Sequence, residues 1–224
     1  RRLPKLLRFI PGTAQDLRMF FLTMRYWLAG SEQNITNMVL NLVGRYAAPE
    51  RQSFKLGSQA EEPIEYPEVG LYHPKMKGKI SENLQQLPKD LEGKPTVGLL
   101  LLRSYLLAGN ALHYDAVIAA IESRGLRVIP AFASGLDSRP AIENFFLQNG
   151  KSKIDALVSL TGFSLVGGPA YNDAKAAEQI LSQLDVPYIA AHPVEFQSLD
   201  QWGSSQRGLM PVESTIMVAI PELD

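Results

Sequence analysis

The sequence predicts a doubly wound parallel α/β domain of about four strands, preceded by an N-terminal helical hairpin. Three observations carry that expectation. Short apolar runs begin near Val97, Leu126, Ile154 and Val186, about 30 residues apart, the size of a unit that returns a strand parallel to its predecessor. Segments of helical pattern follow these runs. Ahead of them, two further helical segments are separated only by Ala29-Gly30-Ser31, a linker short enough for an antiparallel helix pair.

Residues 1–48 form the hairpin segment. Thr13 is placed to cap the first helix and Gly30 to end it. Leu17, Phe20, Phe21, Met24 and Trp27 recur at helical spacing, while Met19, Leu22, Tyr26 and Leu28 add apolar groups on other faces. A helix apolar most of the way round is expected to be buried. In the second helix, over about 31–47, Ile35, Met38, Val39, Leu42, Val43 and Tyr46 make a single stripe.

From 49 to 95 the pattern breaks. Prolines 49, 63, 67, 74, 88 and 95 describe an irregular connector. Its length and its apolar residues suggest a segment draped over a neighbour. The α/β domain then occupies 96–224. Its runs (Val97 to Leu102, Leu126 to Phe132, Ile154 to Leu160, Val186 to Ala191) are apolar on consecutive residues, as strands covered on both faces require. Tyr114, Val117, Ile118 and Ile121 share a helix face, with Gly125 as the stop. Pro140 opens a second helix that buries Ile142, Phe145 and Phe146. Asn172-Asp173 caps a third that buries Ala174, Ala177, Leu181 and Leu184. The last segment, Pro211 to Ile220, fits helix or strand, and Pro211 as a first-turn residue favours helix.

Composition narrows the function. The 224 residues are 46% hydrophobic and 20% charged, as in a folded globular chain, and 22 Lys and Arg stand against 23 Asp and Glu. A formal charge of −1 gives no broad electrostatic footprint for nucleic acid or an anionic membrane. The absence of cysteine excludes disulfides, thiolate metal sites and a Cys nucleophile. No apolar run approaches the ~20 residues of a membrane span. A first residue of Arg with no signal-peptide pattern reads as a piece cut from a longer, cytosolic polypeptide.

In a parallel sheet, ligands bind beyond the carboxyl ends of the strands. Those ends are Arg103-Ser104, Ala133-Ser134-Gly135, Thr161-Gly162-Phe163 and Ala191-His192-Pro193. Such loops are also polar simply because water reaches them. The glycine-rich stretch Thr161 to Pro169 fails as a P-loop, since Gly168 and Pro169 stand where Lys and Ser or Thr are needed. It fails as a nucleophile elbow because Val166 replaces the second glycine. Of the three histidines, His73 reads as part of a surface turn and His113 as a helix-start residue. His192 follows a strand and precedes Glu195 by three residues. It can take a proton or pass on a metal ion, or merely hold its own loop. No pair of histidines has the helical spacing of a closed metal site.

Longer strings point further. Arg8-Phe-Ile-Pro-Gly-Thr-Ala-Gln-Asp-Leu-Arg18, Tyr26-Trp-Leu-Ala-Gly-Ser-Glu-Gln-Asn34, Arg127-Val-Ile-Pro-Ala-Phe-Ala-Ser-Gly-Leu-Asp137, Ser159-Leu-Thr-Gly-Phe-Ser-Leu-Val-Gly-Gly-Pro169 and the segment Pro211 to Asp224 resemble the large H subunit of magnesium chelatases. Leu101 to Gly109 and Ala191 to Phe196 look like the bacteriochlorophyll-pathway version. The cobalt-chelatase large subunit is a more distant likeness. The resemblance implies an internal fragment of a multidomain protein that binds protoporphyrin IX. With an ATPase (I) subunit and a D subunit, such a protein inserts Mg²⁺ using ATP, in the cytoplasm of a phototrophic bacterium or, in a plant, the plastid stroma.

On this reading the fragment carries no catalytic residue of its own, no bound metal and no tightly held cofactor. Its expected role is scaffold or cavity wall, with His192, Glu195, Arg103, Ser104 and Thr161 as candidates for lining the porphyrin cavity. Two other roles fit the residues: a flavodoxin-like module for a nucleotide or flavin, or a docking surface for the ATPase subunits.

Overall fold

A computed structural model describes residues 7, 9–54, 60–168 and 171–219, with side chains described for 9–51, 60–168 and 171–215. Of the last expected segment, Pro211 to Ile220, residue 220 lies outside the described residues, as do 221–224 beyond it. The chain divides into two compact units. One holds residues up to Tyr66 together with Ser104–Asn110, and the other holds Pro67–Arg103 and the chain from Ala111 on.

The first unit contains the expected hairpin. Helix α1 (Thr13–Ala29) ends at Gly30, whose φ of 65° is the left-handed conformation that closes a helix. Ser31 caps α2 (Glu32–Tyr46), its side chain accepting from the Asn34 N–H at 3.2 Å. Two expectations are corrected. Gly12, with no side-chain bond, occupies the cap position of α1, and Thr13 is the first helical residue. The buried faces also differ from the apolar stripes. Met19, Leu22 and Tyr26 are buried against Met38 and Leu42, while Phe20 and Trp27 are 58% and 62% exposed. In α2 the fully buried residues are Asn34 and Asn37, and Val39 and Tyr46 face outward.

The reason lies in residues 60–66. Asn34 Oδ1 accepts from Ile64 N–H at 2.9 Å and its Nδ2 donates to Ile64 C=O at 2.8 Å, closing a two-bond clasp. Asn37 Oδ1 accepts from Glu61 N–H at 3.0 Å, and the Tyr26 hydroxyl donates to Glu61 C=O. An extended segment with no sheet of its own takes its backbone partners from these side chains, as buried peptide groups require. That demand rotates the helix pair away from the apolar stripe.

The second unit is built on a six-stranded sheet. Strands β3 (Thr96–Leu102), β4 (Arg127–Ala133), β7 (Ala156–Ser159) and β10 (Tyr188–Ala190) are parallel, with Leu99 opposite both Pro130 and Val158. These are the four expected strands. The connector expectation is corrected at its centre: β1 (Val69–Tyr72) pairs antiparallel with β4, and β2 (Ile80–Ser81) pairs antiparallel with β1. Across the sheet the order is β10-β7-β3-β4-β1-β2. Pro67 and Pro74 bound β1 without entering it, so no ladder bond is lost.

Helix α3 (Arg103–Leu107) follows β3 directly, with Arg103 in the second unit and its other residues in the first. Helix α4 (Leu112–Glu122) packs on β4, burying Tyr114 and Ile118, and the Tyr114 hydroxyl accepts from Leu102 N–H at 3.2 Å. In place of the second expected helix stands a turn, α5 (Arg139–Ala141), that runs into a single π-helical turn at Ile142–Phe146. It buries Ile142, Phe145 and Phe146 as expected, then passes into the hairpin β5 (Leu147–Gln148) and β6 (Lys151–Ser152).

The hairpin β8 (Gly167–Gly168) and β9 (Tyr171–Asn172) leads to α6 (Ala174–Leu184). Asp173 caps α6 by accepting from Ala176 N–H at 3.0 Å. Its buried set is Ala176, Ala177, Ile180 and Leu184, with Leu181 half-buried against the same core and Ala174 exposed. A short helix not anticipated, α7 (Leu199–Ser204), is closed by a reciprocal cap between Ser198 and Gln201. Helix α8 (Pro211–Ala219) matches expectation. The core runs from Leu71, Leu100, Ile129 and Leu157 of the sheet to Ile142, Phe146, Ile180 and Leu184.

This packing sets the cost of two substitutions. Asn34→Ala leaves both backbone groups of half-buried Ile64 without their side-chain partners and lowers stability by about 1–3 kcal/mol in denaturant unfolding. Val39→Ala, on the exposed side of the same helix, stays within about 0.5 kcal/mol. Gly70→Ala would set a methyl 2.7 Å from Phe132 Cζ and 3.2 Å from Pro67 Cγ. That overpacking costs about 1–3 kcal/mol, read as a lowered melting temperature.

Candidate functional site

From β3 the chain winds one way to β4 and the other way to β7 and β10, so the switch point lies between the carboxyl ends of β3 and β7. Thr161 stands on that rim, nearly buried. Its Oγ1 lies 3.1 Å from Ser159 Oγ and accepts from Phe163 N–H at 3.3 Å. Gly162 turns the loop with a φ of 70°, and a Cβ there would sit 3.6 Å from Pro193 Cδ and 4.0 Å from His192 Nδ1. The loops after β7 and β10 therefore meet, with half-buried His192 against the Gly162 backbone.

Glu195 is exposed and close enough to His113 to act on its charge. Burial lowers the His113 pKa more than Glu195 and Asp115 raise it. The loop carrying Glu195 is fastened by a residue that sequence reasoning missed. Glu213, 1% exposed, accepts from Glu195 N–H at 2.8 Å and from Phe196 N–H with the same oxygen. A lone Glu early in α8 offered no sequence signal of this.

Arg103 does different work. Its Nε donates to Pro67 C=O at 2.8 Å, and burial pulls its pKa below the usual guanidinium value against the opposing pull of Glu68. Ser104 is exposed and falls in the helical unit. The glycine pair Gly167-Gly168 has a steric purpose. A Cβ on Gly167 would lie 2.1 Å from Tyr171 C=O, and one on Gly168 2.2 Å from Leu136 Cδ1. The stretch is a tight hairpin. Within the rim, the hollow lined by Leu102, Gly135, Thr161 and Phe163 has a volume of about 10 Å³, room for one water.

A larger cavity, about 400 Å³, opens at the opposite, amino end of the parallel strands. His73, expected in a surface turn, is here 1% exposed. Because β1 runs against β4, its end delivers His73 to the start of β4. The Nδ1 accepts from Lys75 N–H at 3.2 Å and Nε2 meets Glu122 Oε1 at 3.1 Å. Lys75 Nζ meets the other Glu122 oxygen at 2.7 Å. Burial lowers the His73 pKa and outweighs the pull of Glu122, so the ring is a neutral Nε2–H tautomer. Burial would raise the Glu122 pKa, but Lys75 and His73 together bring it below the usual carboxylate range. Among the described residues no three His, Asp or Glu converge as a metal site, and no helix is long and apolar enough to cross a membrane.

A histidine held below its ordinary pKa of 6.5 leaves stability untouched above that pH and subtracts from it as pH falls beneath. Stability therefore falls as the pH drops from 7.5 to 5.5 through the ordinary histidine pKa. His73→Gln, which keeps a donor toward Glu122, loses less over that interval when the two are unfolded side by side.

Residues 24–224 match the family model described as CobN/Magnesium Chelatase. The chain is 57% identical over all its 224 residues to the magnesium-chelatase H subunit of Cereibacter sphaeroides, covering 18% of that protein. It is 37% identical to the chloroplastic magnesium-chelatase protein ChlH of Oryza sativa subsp. japonica, again over the whole chain and 17% of the relative. Among solved structures, the catalytic subunit of cobaltochelatase from Mycobacterium tuberculosis superposes with a TM-score of 0.62 at 23% identity. That match covers 92% of this chain and 16% of the other, a likeness of fold. The chain thus spans under a fifth of the length of these relatives, and it belongs to the CobN/magnesium chelatase family.

Proposed function

We propose that the chain is a segment of the porphyrin-binding H subunit of a magnesium chelatase and forms part of the wall against which protoporphyrin IX is held. The observation that carries this reading is the 57% identity to a magnesium-chelatase H subunit along all 224 residues. Insertion of Mg²⁺ requires the macrocycle to lose two pyrrole protons, so bases belong beside the ring. His192 is the rim group suited to receive such a proton, since an imidazole nitrogen is the side-chain base most often used for proton transfer. Glu195 stands exposed beside His113 and can relay it or hold the incoming cation.

Mg²⁺ gives up its water reluctantly. Coupling its dehydration to ATP hydrolysis in separate I and D subunits fits a chain whose glycine-rich stretch is a tight hairpin and not a phosphate cradle. A rim hollow of about 10 Å³ is far smaller than a porphyrin, which favours a wall completed by other parts of the subunit over a self-contained pocket. The corresponding setting is the cytoplasm of a phototrophic bacterium.

A second reading draws on α1. Phe20, Trp27 and Leu28 are 58%, 62% and 72% exposed, an apolar face suited to docking an ATPase subunit.

The test is fluorescence titration of deuteroporphyrin into the full-length protein. His192→Ala and Thr161→Val should each raise Kd by about three- to tenfold, on the order of 1 kcal/mol. Unchanged affinity in both variants removes the rim from the porphyrin wall, and absence of porphyrin binding by the wild-type protein overturns the reading itself.

A further inference from the structure

We propose that the cavity at the amino end of the sheet binds a small anion, a phosphate or carboxylate group, recognised chiefly by Arg127. This goes beyond the porphyrin reading and does not depend on it. The cavity, about 400 Å³, lies within the range of small-ligand sites. The charged side chains lining it balance in number, Lys75 and Arg127 against Asp90 and Glu122, but the ion pair among them joins Lys75 to Glu122. Both Glu122 oxygens are engaged, one by Lys75 at 2.7 Å and the other by His73 at 3.1 Å. The Asp90 carboxylate acts on Lys75.

Arg127 is left over. Among the described residues its guanidinium forms no ion pair, and its Nε is shut away from water without a hydrogen-bond partner. A desolvated guanidinium nitrogen is costly unless an acceptor offsets it, and the guanidinium fork matches a carboxylate or phosphate.

The residue is also rigidly rooted. It is the first residue of β4, opposite Thr96, and its backbone N–H donates to Pro95 C=O at 2.9 Å. The end of α4 would repel an anion if its carbonyls were bare. They are not. Ser123 N–H takes Ala119 C=O at 2.9 Å, Arg124 Nη1 takes Ala120 C=O at 2.7 Å, and Gly125 N–H takes Glu122 C=O at 2.9 Å. His73 is neutral and adds no charge at pH 7. Arg127 is therefore the cation lining the cavity that no ion pair engages among the described residues.

Calorimetric titration of inorganic phosphate, and separately of succinate, into the full-length protein at low salt tests the assignment. One-to-one saturable binding of at least one anion is expected, weakened about tenfold or more in Arg127→Gln and retained in Lys94→Gln. The latter removes the same charge from an exposed position outside the cavity lining. Binding of phosphate alone identifies a phosphorylated ligand, and binding of succinate alone a carboxylate. Should Arg127→Gln fail to melt cooperatively, Arg127→Lys keeps the charge, loses the fork and is expected to show the same weakening. No saturable binding of either anion up to about 10 mM overturns the proposal, as does equal binding in wild type and a folded Arg127 variant.

Discussion

The second unit depends on one strand. β3 carries Gly98-Leu-Leu-Leu-Leu102 through the middle of the sheet, paired with β4 on one side and β7 on the other. Leu99, Leu100 and Leu101 are all buried, although successive side chains of a strand point to opposite faces. Such a strand is satisfied only if both faces are covered and both edges are paired. α4 lies on β4, and the π-turn and α6 close over the core that holds Leu100. The switch point follows from this. With β3 at the centre, the chain leaves it in one direction for β4 and in the other for β7 and β10, opening the rim between them.

That burial is also why the parallel strands could be read from sequence. Consecutive apolar residues leave little choice of structure, whereas the misread elements are those whose burial is set by polar or conformational needs. β1 is four residues between prolines, too short and too punctuated to show a period. Asn34 and Asn37 are polar by type and carry no sign of their own burial, yet the extended 60–66 segment takes its backbone partners from their amides. The apolar stripe of α1 fails as a buried face at Phe20 and Trp27, whereas that of α2 holds at Met38 and Leu42 and fails at Val39 and Tyr46. The same logic hid His73. A histidine before a proline looks like a turn until an antiparallel strand brings it to Glu122, 49 residues away.

The two ends of the sheet are unlike in kind. At the carboxyl rim the side chains serve their own loops: Thr161 holds Phe163, and Gly162 supplies the left-handed turn at a φ of 70°. The legible part of this rim was its position. Its internal bonding was not, because Ser, Thr and Gly serve turns and ligand sites equally well. At the amino end the charges come from separate stretches of chain, and only the topology assembles them. No local window of sequence contains that cluster.

Glu213 decides whether the rim is able to position anything. Loops usually trade precision for mobility, and a site on a loop needs supporting contacts to hold its geometry. One Glu213 oxygen takes the backbone N–H groups of Glu195 and Phe196, and Gln197 adds a bond to Gly208 C=O at 3.1 Å. Charge-assisted bonds of this kind are stronger than neutral ones. Glu195 and Phe196 therefore reach the surface from a backbone tied to α8, while His192 is braced against Gly162 at the other end of the same loop. An exposed carboxylate and an exposed aromatic ring on a fastened backbone differ physically from the same groups on a loose one. Their backbone is already held when anything meets the rim, so that part of the ordering cost is met in folding instead of binding.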